Sequence, residues 1–265
     1  MTQSSVIAVT KELNSALSEL TFPENDKIMI FNSLGKRETL GLFEEYVNKY
    51  CQGRKNALFV GMNPTPSGMA RTGVPFGDPD YVKSWLKLDG FVNEPIEDFD
   101  YKDSERSGKN LWSFLQSIFK DAEEFFRDNF IVNYCPLIFL SKDKSHMLSL
   151  ENMVENEDRD GKKILSSEEY NRMKVYISDV LNACNDYLIS MIGIIKPRHV
   201  IAFGNAVKEF VDDALRVSTV RHPSDLGRKG KRYANMDWQD IAMSQLIEAG
   251  VFTEEMRKKL QETTK

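Results

Sequence analysis

The sequence predicts an α/β fold: a single-domain α/β/α sandwich around a central four-stranded, mainly parallel sheet. Three observations predict it. Short apolar runs alternate with longer segments of helical period, the pattern of βαβ units. The runs "NALFVGM" (56–62) and "HVIAFG" (199–204) are nearly all apolar, as in strands buried on both faces. The chain has 265 residues, 41% of them hydrophobic, enough for a sizeable core in one large α/β domain or two small ones. No internal repeat is visible, and the expected organisation is one domain over 1–265, with 1–44 as an N-terminal helical extension.

Residues 5–20 have the spacing of an amphipathic helix, and "ETLGLFEEYVNKYC" (38–51) repeats it. The first strand is 56–62. "PDYVKSWL" (79–86) reads as a helix, with Asp78 as its cap and Pro79 in its first turn. "GKNLWSFLQSIFKDAEEFF" (108–126) reads as one helix. "NFIVNYCPLIFL" (129–140) begins as a strand and leaves it at Pro136. A long helix over 167–196 ends at Pro197. The strand 199–204 is followed by a helix over 205–215, a last strand over 216–223 and a last helix over 238–250, closed by Gly250. Two polar stretches, 93–106 and 151–163, are expected as surface insertions. The second has the opening of a calcium loop in Asn156, Asp158, Asp160 and Gly161, but Ser167 stands where a bidentate Glu is required. It is expected to be a solvated loop.

The formal charge is −5, so bulk charge does not call for a nucleic-acid partner, and only a local patch can provide one. No apolar run is long enough to span a bilayer, and the N-terminus lacks the basic start and cleavage site of a signal peptide. The expected location is intracellular. Cys51, Cys135 and Cys184 are far apart, with no Cys-x-x-Cys, and are expected to be buried reduced thiols.

In an open α/β sheet, ligands bind beyond the carboxyl ends of the strands. The first strand is followed by Gly61, Met62 and Asn63. The second carries Asn133, and the fourth ends in Arg221, His222 and Pro223. Two amides and one imidazole therefore converge on one edge. A phosphate-binding loop and a Gly-x-Ser-x-Gly nucleophile elbow are both absent. An amide both donates and accepts, so it can read the edge of a nucleobase. The loop after Gly61 holds Pro64, Pro66, Pro75, Gly68, Gly73 and Gly77, so its shape is dictated. Phe76, near its end, offers a ring face for stacking. Arg221, Arg228, Lys229, Lys231 and Arg232 make 221–233 the most basic window, suited to DNA phosphates.

These residues resemble the uracil-DNA glycosylase superfamily, and within it the single-strand-selective monofunctional uracil-DNA glycosylases. Their first motif reads Gly-Met-Asn-Pro-Gly-Pro-Phe-Gly-Met-Ala-Gln-Thr-Gly-Val-Pro-Phe-Gly, and here the stretch is "GMNPTPSGMARTGVPFG". "SGKNLWSFL" from Ser107, "NYCPLIFL" from Asn133 and "HPS" at His222 are similar as well. The resemblance spans roughly 45–252 and implies the following roles. Asn63 positions the attacking water, and Phe76 stacks on the flipped base. Asn133 reads the uracil edge, and His222 stabilises the departing base. Met62, Thr65, Ser67 and Met69 line the substrate pocket. Ser224, Leu226 and the basic residues Arg228, Lys229, Lys231 and Arg232 meet DNA, Leu226 as a duplex wedge like that of the main uracil-DNA glycosylases. No cofactor or metal is implied.

The expected partner is uracil-containing DNA, single- or double-stranded, bound by a monomer with no membrane. The reaction expected is hydrolysis of the N-glycosidic bond, leaving an abasic site. A relative acting on xanthine or hypoxanthine and a non-catalytic DNA-binding relative are the alternatives. Thr65, Ser67 and Arg71 depart from the family motif. Thr65 either narrows the pocket beside C5 of the base or only stiffens its loop.

Overall fold

A computed structural model describes residues 2–90, 105–142, 147–158, 160–210, 216–224 and 237–263. The chain order is α1 (Thr2–Glu19), β1 (Ile28–Asn32), α2 (Arg37–Tyr50), β2 (Ala57–Gly61), α3 (Met69–Thr72), α4 (Pro79–Ser84), α5 (Arg106–Gln116), α6 (Ala122–Asp128), β3 (Asn129–Asn133), β4 (Leu137–Ser141), β5 (Met147–Leu148), α7 (Leu150–Glu155), α8 (Ser167–Ile195), β6 (His199–Phe203), α9 (Ala206–Phe210), β7 (Val217–Val220), α10 (Trp238–Glu248) and α11 (Glu254–Thr263).

The central sheet has the order β3-β2-β6-β7, and every neighbouring pair is parallel. It is the four-stranded sheet expected from the sequence. All five residues of β2 and of β3 are buried, which is why their sequences do not alternate. Successive side chains point to opposite faces. Phe130 stacks on Tyr46 of α2, with ring centroids 5.0 Å apart. Phe59 meets Phe125, Phe203 and Phe252, the last of which stacks on Phe114 of α5. α1 lies against α8, with Val6, Leu13 and Leu17 buried. All three cysteines are free and buried. Among the described residues no helix is long and apolar enough to cross a membrane.

Three expectations need correction. The helix expected over 108–126 is two helices, because Asp121 starts a new one: its carboxylate accepts the Glu124 N–H at 2.8 Å. The strand begun at Asn129 ends at Asn133, before Pro136, but the residues after Pro136 form a further strand that was not expected. β4 pairs antiparallel with β1, and β5 adds to β4, giving a second sheet of order β1-β4-β5. The segment 151–163 is partly built into the fold. α7 opens with a Ser149–Asn152 capping box, and Met153 and Asn156 are buried. Of the expected helix 205–215, residues 206–210 are helical and 211–215 lie outside the described residues, as do 93–104 of the first insertion.

Asn156, the first residue of the apparent calcium loop, is buried and bonds to Leu165 twice. Its Nδ2 donates to the Leu165 carbonyl at 3.0 Å, and its Oδ1 accepts the Leu165 N–H at 2.8 Å. Its φ of 56° lies in the left-handed region that Asn tolerates better than most residues. Asn156→Ala loses both bonds and keeps the strain, so it should lower stability by about 2–3 kcal/mol in urea unfolding. Asp160→Ala on the exposed side of the loop should change stability by less than about 0.5 kcal/mol.

Candidate active site

Because the four central strands are parallel, their carboxyl ends share one edge. β2 ends at Gly61, directly beside Asn133, the last residue of β3. The pairing continues past the strands: the Tyr134 N–H donates to the Gly61 carbonyl at 2.7 Å, and the Cys135 N–H to the Met62 carbonyl at 2.9 Å. A Cβ on Gly61 would collide with Asn133 Oδ1 and lie 2.8 and 2.9 Å from two ring carbons of Phe76. The absent side chain is therefore what lets the amide and the ring meet over the backbone. Asn133 is buried, and its Nδ2 donates to the Met69 sulfur at 3.2 Å. That contact aims Nδ2 at Met69 and leaves Oδ1 over Gly61.

Phe76 has a φ of 54°, rare for a residue with a Cβ. Such a conformation costs about 1–3 kcal/mol and persists only where its surroundings enforce it. Here they do. Trp112 Nε1 and the Asp78 N–H both donate to the Phe76 carbonyl at 2.7 Å. Gly108 presses against the same carbonyl, which a Cβ there would overlap. The Phe76 ring lies edge-on to Phe203, at 5.2 Å, and 6.1 Å from the His222 ring.

His222 follows β7 by two residues. The Ser224 N–H donates to its Nδ1 at 3.2 Å, with Ser224 Oγ also 2.9 Å from that atom. A backbone N–H can only donate, so Nδ1 is the acceptor and the ring proton resides on Nε2. Burial of the ring lowers its pKa from 6.5 to about 4. His222 is therefore a neutral imidazole at physiological pH, with one N–H to offer.

Asn63 faces α7. Its Oδ1 accepts the Leu150 N–H at 3.2 Å. Leu150 begins α7, so its N–H has no acceptor within the helix, and Asn63 satisfies it. The acceptor end of the amide is thereby fixed, and its buried Nδ2 has no hydrogen-bond partner among the described residues.

The family model for the "Uracil DNA glycosylase superfamily" matches residues 48–242. The chain belongs to the uracil DNA glycosylase superfamily. The chain is 30% identical to the single-strand selective monofunctional uracil DNA glycosylase of Mus musculus over 254 residues, 90% of this chain and 81% of the relative. The corresponding protein of Bos taurus is 31% identical over 221 residues, 78% of this chain and 72% of the relative. The crystal structure of Pedobacter heparinus SMUG2 is similar in fold, with a TM-score of 0.60 at 17% identity, covering 96% of this chain and 98% of the other.

In this uracil DNA glycosylase superfamily fold, the structure brings Gly61, Met62, Asn63, Met69, Phe76, Asn133 and His222 to one edge of the sheet. Thr65 is committed to its loop, where its Oγ1 accepts the Gly68 N–H at 3.1 Å, which favours stiffening over a reach toward C5. Ser67 is partly exposed in the same turn. Ser224, expected on DNA, orients His222. Leu226, Arg228, Lys229, Lys231 and Arg232 lie outside the described residues. A separate cleft of about 960 Å³, bounded by Lys49, Lys55, Lys120 and Arg127, opens at the opposite end of the strands and includes none of these side chains.

Sequence reasoning missed the supports. Trp112 and Gly108 sit in the "SGKNLW" stretch that matched the family, but nothing in the sequence ties them to Phe76. Leu150 carries no signal at all, since its contribution is a backbone N–H. Glu105 was missed too. It caps α5 through Oε1, which accepts the Gly108 N–H at 3.2 Å, while Oε2 is buried with no hydrogen-bond partner among the described residues. Burial, and secondarily the charge of Asp78, raises its pKa from 4.5 to about 7. The folded state thus holds this proton more tightly than the unfolded chain, and stability falls as pH rises from about 4.5 to about 7. Glu105→Gln stays neutral, so it should raise the melting temperature at pH 8 by several degrees and leave it nearly unchanged at pH 5. Equal melting of the two proteins at pH 8 would contradict the assignment.

Proposed function

We infer that this chain excises uracil from DNA by simple hydrolysis, with Asn63, Phe76, Asn133 and His222 as its working side chains. Its family makes it a monofunctional uracil-DNA glycosylase of base-excision repair. The observation that carries the residue-level reading is the neutral His222, which offers Nε2–H beside the Phe76 ring at the sheet edge.

The target atoms, C1′ and N1, are hidden in a base stack, so the nucleotide is extruded into the site. The freed base stacks on Phe76. Uracil presents an N3–H donor beside an O4 acceptor, and the Asn133 amide offers the complement in Oδ1 and Nδ2. Cytosine reverses both groups, and accepting it would require turning the amide away from Met69. As the glycosidic bond stretches, negative charge builds on the base and positive charge on the sugar. The Nε2–H of His222 meets that developing anion, and a donor of this kind is typically worth about 2.7–4 kcal/mol. A neutral imidazole suits the task, because its proton stays on the enzyme while the base leaves as an anion. Asn63 holds the water through Nδ2. It does not titrate and need not, since a sugar cation accepts a merely positioned water. The bond that breaks is C1′–N1, the bond that forms is C1′–O, and the water's second proton passes to solvent.

DNA is the substrate. We assign a preference for single strands, whose bases are cheaper to unstack, in keeping with the printed name of the Mus musculus relative. The reading needs one copy of the chain, inside the cell where DNA is, with no cofactor or metal in any step.

His222→Ala should lower the single-turnover rate on a uracil oligonucleotide by about 10²–10³-fold with little change in DNA affinity. The ratio of wild-type to variant rates should stay flat from about pH 5.5 to 8. An inflection near 6.5 would identify an imidazolium instead. Asn133→Asp should slow uracil excision, because two acceptors replace the donor–acceptor pair. Full uracil activity in that variant would remove Asn133 from base reading.

A further inference from the structure

The backbone on either side of His222 has left the β7 ladder, so its polar groups need partners elsewhere. Three side chains supply them. Gln245 Oε1 accepts the Arg221 N–H at 2.8 Å. Trp238 Nε1 donates to the Arg221 carbonyl at 2.9 Å. Asn110 Nδ2 donates to the Pro223 carbonyl at 2.6 Å. Gln245 and Trp238 lie on one side of α10, two turns apart. Asn110 comes from α5, two residues before Trp112, which holds the Phe76 carbonyl.

We propose that Asn110, Gln245 and Trp238 are positioning residues for His222. They clamp the backbone of the residue before it and of the residue after it, so that Nε2–H is delivered to one point. The inference rests on the assignment of His222 as the leaving-group donor. A donor aimed at charge that exists only in the transition state works by being fixed beforehand. Ser224 sets which nitrogen carries the proton, and the clamp sets where that proton points. α5 adds a second constraint. By holding both the Phe76 carbonyl and the Pro223 carbonyl, it fixes the spacing between the surface that stacks the base and the group that receives its charge. Asn110 and Gln245 are only partly buried, so their role is not to fill the core. Trp238 is buried against Phe114 and also serves packing.

The test is single-turnover excision of uracil by Asn110→Ala and Gln245→Leu, each made in the wild type and in His222→Ala, with melting and DNA affinity measured alongside. In the wild type each should slow the chemical step by about fivefold to tenfold, the scale of one well-made hydrogen bond, without weakening DNA binding. In His222→Ala neither should cost anything further, because the residue they act through is gone. Gln245→Glu keeps an oxygen facing the Arg221 N–H and should recover most of the rate. Equal losses in both backgrounds would make Asn110 and Gln245 merely structural and overturn the proposal. So would wild-type rates for both single variants while His222→Ala is slow. A His222→Ala protein that excises uracil at the wild-type rate would instead overturn the assignment of His222, and the clamp with it.

Discussion

The site depends on a volume that Gly61 leaves empty. Parallel pairing sets Asn133 next to it at the end of the sheet, and the Pro/Gly loop brings Phe76 back over it. A side chain at position 61 would take the space of the amide oxygen and the ring edge together. The other features follow from holding that contact. Met69 turns the Asn133 amide one way. Trp112, Asp78 and Gly108 keep Phe76 in a backbone conformation it would not adopt alone. The register of β2 on β3 continues past the strand ends through Tyr134 and Cys135, so the two walls cannot slide apart.

The electrostatics of this edge favour neutral groups. Asn63 and Asn133 carry no charge, burial keeps His222 unprotonated, and burial holds Glu105 as an acid up to about pH 7. A site of fixed neutral dipoles suits a substrate that enters neutral and leaves as an anion. It gives little to the neutral base and more as charge develops, which is the condition for lowering a barrier rather than merely binding. Attraction to the DNA backbone must come from elsewhere on a chain whose formal charge is −5.

Much of this was legible in the sequence, for identifiable reasons. β2, β3 and β6 announce themselves because burial leaves each with a run of at least three apolar residues, whereas β7 keeps Ser218 and Thr219, both partly exposed, and is marked instead by its two valines. Asn63, Asn133 and His222 could be found because each follows or ends a strand, where topology alone gathers them. The second sheet was not legible, since "IMIFN" is a short run, and "LIFL" after Pro136 carries no sign of which run it pairs with. The division between α5 and α6 was hidden because Asp121 caps a helix inside a continuous apolar pattern. The support of Asn63 was invisible because it comes from the backbone of Leu150, just before a stretch whose acidic composition suggested solvent. Contacts made by backbone groups, or between side chains far apart in sequence, leave no pattern to read.

The most direct test of the account is the uracil excision rate of Gly61→Ala, measured in single turnover alongside its melting temperature. A single methyl group here should displace either Asn133 or Phe76 and reduce excision by at least about 100-fold in a protein that still folds. Excision at the wild-type rate by a folded Gly61→Ala protein would show that the close approach of amide and ring over Gly61 is not what the site is built on.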